Sequence, residues 1–516
     1  MLNIFFEFQI PNSKFPILNY LYPMFKNKNL PFLLFTFSVI MVLIVSQLIQ
    51  DGMFMDGEFY TCVGKNLADG LGTFWNPHLS KTYMYSFHVQ PPLYFGLLAV
   101  FYKVLGSSMY VERLFCFVFF VGAAIYIHKI WKKMYADKNA VVGVITNNGL
   151  VSKLSWLPVL FWVTIPVCFW AYTNHVMEVV MSFFAIASVY HIFIALNNNE
   201  NVIFNLIVAG VFIFLSSLTK GAQGLFPVVG AGAFWLVSQK ISFKKMFFYS
   251  TILVAVPAII YGFLLITNKE VYDSFYNYFQ IRYTRVFNNL ESTTDNRFDI
   301  IIQLFMELLP MLLFTVLFFA VVGVFTNNKQ NQEKTKRNLI FWFLLIGLSG
   351  SLPLMVTLEQ RNFYLVTSLP YFAIAIAMFS GNKIATFINK INIYSRGFKI
   401  AIISCSLLLV TTFIYSATRI GECKRDADSI SDVYQFGKII PHGEIVRVPS
   451  AMNEDWNTRY YLLRYFYINM DVAPKEYKYF IIRKNLPKEL VPLNYGAYAM
   501  GTKYFDLYIL KNEIKQ

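Results

Sequence analysis

LPFLLFTFSVIMVLIVSQLI, residues 30–49, carries no charge along its whole length. About 20 apolar residues cross the hydrocarbon core of a bilayer as a helix, so this run reads as a membrane span. Similar runs follow near 109–130, 153–171, 178–196, 202–219, 222–238, 246–267, 300–325, 338–356, 362–380 and 399–418. They predict a mainly α fold, a polytopic transmembrane helical bundle of about 11 spans, up to 13. The stretch PPLYFGLLAVFYKVL, 91–105, is short, opens on two prolines and contains Lys103, so it reads as an interfacial helix.

Composition agrees. The 516 residues are 56% hydrophobic, 18% aromatic and only 14% charged, where a soluble domain carries about a quarter. The net charge of +15 would suggest nucleic acid in a soluble protein. Here the basic residues cluster in short loops: Lys129, Lys132, Lys133, Lys138 and Lys153; Lys240, Lys244 and Lys245; Lys329, Lys334, Lys336 and Arg337; Lys383, Lys390, Arg396 and Lys399. Those loops fall on one side only if 30–49 is a span and 91–105 is not. The positive-inside rule makes that side cytoplasmic, so the charge reports topology and membrane lipids rather than nucleic acid. The leader before residue 30 carries Lys14, Lys26 and Lys28, and no small-x-small exit site follows the span. A retained span with a cytoplasmic segment 1–29 is the expectation.

The transmembrane domain then covers 30–418, with two long outside loops at 50–108 and 268–299. Loops this long beside tight ones are usually functional or structured. Residues 419–516 change character. EIVRV (444–448), YKYFIIR (477–483) and YFDLYIL (504–510) read as strands, and SISDVYQFGKII and RYYLLRYFYI as helices. They predict a small extracytoplasmic α/β domain. The five cysteines form no metal-ligand pattern. Cys62 and Cys423 both face the outside in this topology, where a disulfide could join them.

Chemistry-bearing residues collect at the outer ends of spans. MDGEFYTCVGKNLADG, 55–70, reads as a helix that opens with Asp56 and Glu58 and closes on Gly70. Asp56 is either a helix cap or a carboxylate base at the membrane edge. FHVQPPL brings His88 and Gln90 to a turn, without companions that complete a metal set. In YTNHVMEVV, Glu178 enters an apolar run, where an acid usually has a partner or a role. SLTKGAQG holds Lys220 between two apolar runs, as a snorkelling cation or a phosphate contact. In YDSFYNYFQIRYTRVF, Tyr278, Arg282 and Arg285 share a helix face, suited to a phosphate or to lipid headgroups. TLEQRNFYLVTSLPYF sets Glu359, Arg361 and Tyr364 at the start of a span, with Glu359 a natural partner for Arg361. No Walker or dinucleotide glycine motif stands out.

In this order, Asp56 after the first span, NLADGLGTFW, QPPLYF, LGSSMYVERLF, the acid at Glu178, TKGAQGLFP and NFYLVTSLPYFAIAIA resemble the GT-C membrane glycosyltransferases. The nearest branch holds the bacterial aminoarabinose lipid A transferases and the protein O-mannosyltransferases, in the form common in Bacteroidetes-type bacteria. The resemblance implies transfer of a sugar from an undecaprenyl-phosphate carrier to a lipid A, glycan or protein acceptor outside the inner membrane, with inversion. It implies catalytic acids at Asp56 and Glu178, and donor-phosphate contacts at Lys220, Arg282, Arg285, Arg361 and Tyr364. Glu58, His88, Gln90 and Tyr278 are further candidates. Gln90 stands where aminoarabinose transferases have a Lys, and Val89 where they have an acid that can contact a metal. A divalent cation is therefore left open, and no metal ligand is assigned. The competing classes are a transporter or flippase of lipid-linked saccharides, and a non-catalytic scaffold.

Overall fold

A computed structural model describes residues 27–136, 148–287, 292–323 and 334–513. The expected cytoplasmic leader up to residue 26 and the basic loop residues Lys138 and Lys329 lie outside them. Helix α1 (Leu30–Leu48) is the first span. Helices α2 (Met55–Ala68) and α3 (Leu93–Leu105) follow in the long loop after it. At 13 residues α3 measures about 20 Å, too short to cross, in keeping with its interfacial reading.

The bundle continues with α4 (Met109–Ala136), the bent pair α5 (Gly149–Val163) and α6 (Pro166–Thr173), α7 (Glu178–Phe193) and α8 (Val202–Lys220). Then come α9 (Gly230–Ser238), α10 (Phe243–Thr267), α11 (Lys269–Phe287), α12 (Asp299–Gly323), α13 (Lys334–Ser351), α14 (Leu369–Lys390) and α15 (Arg396–Thr418). Outward faces are apolar: Ile259, Phe263 and Phe413 are each exposed by 64% or more. Helix α7, in contrast, is nearly all buried. Side chains of that kind belong against lipid tails, and the protein is a multi-pass membrane protein.

Among the described residues nine helical runs are long and apolar enough to cross, and α5–α6, bent by 78°, makes a tenth. One of the nine, Val202–Ser238, has 37 residues. As one straight helix it would measure about 55 Å, well beyond a hydrocarbon core of about 30 Å. The chain instead turns at Gly221, whose φ of 77° and ψ of −146° end α8. Lys220 pairs with Glu178 at the start of α7, while Gly230 packs against Ile192 near its end. The nine residues between form a 3-10 helix that runs back along α7. The 37-residue run therefore doubles back instead of running straight, as the two separate runs 202–219 and 222–238 of the sequence reading require. Among the shifted boundaries is that of the span expected from 362. Its first six residues, Asn362–Thr367, form a 3-10 turn, and α14 starts at Leu369.

Beyond α15 lie α16 (Ala427–Phe436), α17 (Trp456–Phe466) and a five-stranded sheet in the order β2-β1-β3-β5-β4. Strands β1 (Ile445–Arg447), β3 (Tyr479–Arg483) and β5 (Phe505–Leu510) are the ones visible in the sequence. Strands β2 (Asn469–Asp471) and β4 (Tyr495–Tyr498) are too short to show a period. β1 runs parallel to β2 and β3, and β5 antiparallel to β3 and β4. Asp432 on α16 accepts the backbone N–H groups of Lys503, Tyr504 and Phe505, which ties that helix to the sheet. Cys62 and Cys423 are both free, so the disulfide left open by the sequence is not formed.

The Gly221 turn gives a test of the hairpin. Its backbone region is almost closed to side-chain-bearing residues, at a cost of about 1–3 kcal/mol, and an added Cβ would also meet the Tyr278 hydroxyl. Gly221→Ala is expected to lower the apparent melting midpoint in detergent, whereas substitution at the open Gly232 should not.

Candidate functional site

Helix α2 begins immediately outside the first span. Its N-cap is Phe54, and no side chain caps it, so the capping role weighed for Asp56 does not apply. Asp56 and Glu58 lie in the first turn, where the helix dipole favours acids. Two residues apart on a helix, they point to different faces. Gly57 between them lets α2 close on the loop before α7, since an added Cβ would meet the Asn174 carbonyl. The Asn174 side chain accepts the Phe54 N–H at 3.0 Å. The segment that carries Asp56 is thus pinned to the one that carries Glu178.

Glu178 opens α7 and Lys220 closes α8, and the two form a buried ion pair through Glu178 Oε1. Glu178 Oε2 is buried with no hydrogen-bond partner among the described residues. Lys220 Nζ stands 3.9 Å from the centroid of the Tyr364 ring, a cation–π contact. The Tyr364 hydroxyl donates to Glu359 Oε1 at 2.8 Å, and Glu359 Oε2 lies 3.6 Å from Arg282 Nη1. Tyr278 and Arg282 lie one turn apart on α11 and interact electrostatically. Burial raises the Tyr278 phenol and works against the Arg282 charge, but Tyr278, Glu359 and Tyr364 outweigh it and hold Arg282 above its usual value.

Asp56 faces this cluster, and among the described residues no hydrogen bond reaches its carboxyl. Burial raises its pKa to about 6; Lys220 and Arg361 pull it down, and Glu178 and Glu359 push it up. A carboxyl in that condition can accept a proton near neutral pH. The cations and phenols opposite suit an oxyanion.

The fold therefore brings together Asp56, Glu178, Lys220, Tyr278, Arg282 and Tyr364. Arg361 is exposed at the edge of the group and interacts with Asp56 through its field. Its expected partner Glu359 is taken by Arg282 and Tyr364, because the 357–362 loop turns that carboxylate towards α11. The Arg285 side chain lies outside the described residues. Glu58 is not part of the group. It is fully buried and bound by both oxygens to Arg464 Nη1, at 3.0 and 2.8 Å. Burial pushes its pKa to about 7, with Arg464 pulling the other way. His88 lines a separate cleft of about 460 Å3 with Trp75, Glu270, Asp273 and Asn277, and burial lowers its pKa. Gln90 is buried, with Oε1 unpartnered. No group of three or more His, Cys, Asp and Glu side chains able to hold a metal is found among the described residues.

Two features lay beyond the sequence reading. Glu307, in the middle of the apolar run of α12, accepts the Val167 N–H at 2.7 Å at the start of α6. An acid inside a span was the signal available for it. Arg464 carries no such signal, because its partners lie about 350 to 410 positions away.

No family model and no curated protein matches the sequence. Solved structures do. ArnT from Cupriavidus metallidurans bound to undecaprenyl phosphate superposes with a TM-score of 0.62 at 11% identity, over 92% of this chain and 97% of that one. Its apo state gives 0.60 at 10% identity, with the same coverage. The chain has the GT-C fold. The match takes in 92% of the chain, so it reaches from the bundle into the C-terminal α/β unit. Archaeal oligosaccharyltransferase AglB from Archaeoglobus fulgidus also matches, with a TM-score of 0.45 at 11% identity over 88% of this chain and 69% of that one.

The Glu178–Lys220 pair allows a direct test. Removing one member of a buried pair costs about 3–5 kcal/mol, because the other charge is stranded. Lys220→Met is expected to lower the apparent melting midpoint more than the double variant Glu178→Gln/Lys220→Met does.

Proposed function

We propose that the protein is a glycosyltransferase that moves a sugar from a polyprenyl-phosphate carrier, of the undecaprenyl-phosphate type, to a lipid A, glycan or protein acceptor at the periplasmic face of the inner membrane. The observation that carries this reading is the placing of Asp56. A half-buried carboxyl, which no hydrogen bond reaches among the described residues, lies in the field of Lys220, Arg361, Glu178 and Glu359, beside the cluster that Lys220 and Glu359 form with Tyr364 and Arg282 at the ends of the spans. The GT-C fold it shares with an undecaprenyl-phosphate-bound ArnT supports the same reading. In this proposal 30–418 form the catalytic domain and 419–516 an outer domain.

The acceptor oxygen forms a bond to the anomeric carbon from the side opposite the phosphate. The bond from that carbon to the phosphate oxygen breaks, and its electron pair leaves with the polyprenyl phosphate. The configuration inverts. The acceptor proton passes to Asp56. Glu178 orients the acceptor through its unpartnered Oε2 and holds Lys220 in place. Lys220, Arg282, Arg361, Tyr364 and, one helical turn on, Arg285 stabilise the departing phosphate. A flippase would bind its cargo near the bilayer midplane on broken helices, whereas these groups stand at span ends.

Purified protein given a polyprenyl-phosphate sugar and an acceptor is expected to release polyprenyl phosphate. Asp56→Asn should reduce that release by about a hundredfold or more; turnover at the wild-type level in a properly inserted Asp56→Asn protein would exclude Asp56 as the base. The base must be ionised, and its pKa is raised to about 6. Turnover should therefore fall about tenfold per pH unit below pH 6 and level off above it, as read from initial rates.

A further inference from the structure

We propose that Arg464 is a positioning residue, through which the outer domain holds α2 and its Asp56 in register with Glu178. The inference rests on the reading of Asp56 as the base.

Arg464 sits on α17 and is only 5% exposed. Its Nη1 takes both oxygens of Glu58 on α2, while Nη2 pairs with Glu112 on α4 and lies 3.5 Å from Asp51 Oδ1. Each of the other two acids has its own brace. The Tyr102 hydroxyl donates to Glu112 at 2.7 Å, and the Tyr465 hydroxyl to Asp51 at 2.5 Å. One planar guanidinium therefore bridges both sides of the Asp56 turn and the neighbouring span. Its fork fixes direction as well as distance, which a lysine ammonium does not.

The same domain reaches the second carboxylate. Lys424 Nζ donates to the Thr173 carbonyl at 2.9 Å, and Arg113 Nη1 donates to that carbonyl at 2.7 Å. Arg113 Nη2 meanwhile holds the Gly52 carbonyl at 2.9 Å. Residue 173 leads directly into the loop before Glu178. Helix α17 also packs on α2 through aromatic side chains. Tyr460 packs on Phe59 with ring centroids 5.1 Å apart, and it lies within the field of Asp56.

A buried ion cluster contributes little net stability compared with apolar packing of the same volume. Four charged groups gathered at this joint act on geometry. They decide where α2 sits, and with it the distance from Asp56 to the cations opposite.

The test is turnover of polyprenyl-phosphate sugar by the full-length Arg464→Gln, Arg464→Lys and Glu58→Gln proteins beside Asp56→Asn. Each is normalised to monodisperse protein. A misplacement of about 1 Å costs on the order of a hundredfold in rate. Arg464→Gln is therefore expected to lower plateau kcat by about that factor, with KM for the donor changed less than about threefold. Arg464→Lys should recover only part of the loss. The acid limb of the pH profile should also move down from pH 6, because loosening α17 lets water reach Asp56. The groups that face Asp56 are Lys220, Glu178, Arg361, Glu359, Tyr60 and Tyr460, and none is altered. Glu58→Gln removes the other titrating carboxyl of α2, so the limb that remains in it belongs to Asp56. It also reads the same contact if Arg464→Gln does not accumulate in the membrane. A merely structural role would lower the yield of active protein and leave the limb where it was. Wild-type kcat and an unmoved limb in both Arg464→Lys and Glu58→Gln, with Asp56→Asn inactive, would overturn the inference alone. An active Asp56→Asn protein would overturn the base assignment instead.

Discussion

Arg464 is fully enclosed where the outer domain meets the membrane bundle, and three carboxylates converge on it. A charge in that position is expensive to desolvate, so its surroundings tolerate few arrangements. Glu58 must face α17, Glu112 must stand at the outer end of α4, and the turn at Asp51 must close beneath the domain. Once these are placed, the face of α2 opposite Glu58 is decided as well. That face carries Asp56 to the outer ends of α7 and α8. The small outer domain is thus built into the joint that locates the candidate base.

Two acids near the membrane edge end up in contrasting environments. Glu178 has a cation against one oxygen, and Asp56 has burial without a hydrogen bond. Environments of that kind let two carboxyl groups play different parts, one tied to a neighbouring cation and the other able to take a proton. The aromatic residues contribute to the separation. Tyr364 lies under the Lys220 ammonium and donates to Glu359, which in turn holds Arg282. A phosphate arriving there would meet guanidinium, ammonium and phenol groups that are already oriented.

Much of this was legible beforehand. Spans are written in long apolar runs, so a bundle of nine or more spans follows from local composition. Even the reversal at Gly221 could be read, since Lys220 and a glycine interrupt an otherwise unbroken apolar stretch. The candidate residues Asp56, Glu178, Lys220, Arg282 and Tyr364 stood out because polar groups at span ends are costly without a purpose. Glu58 stood out for the same reason, and its partner is Arg464 rather than the group around Asp56. The expectation that Glu359 pairs Arg361 relied on closeness in sequence, and the 357–362 loop turns the carboxylate towards Arg282 instead.

By itself, then, the sequence determined that the chain crosses the membrane many times and that a small α/β unit follows the last span. These are properties of hydrophobic length, charge and period, each of which acts over a few tens of residues. Only the tertiary structure decided which polar residues meet. Asp56, Glu178, Lys220, Arg282 and Tyr364 come from five separate segments, and Arg464 finds Glu58 across 406 positions. Side-chain pairing over such separations depends on how whole helices pack, and no local pattern encodes it.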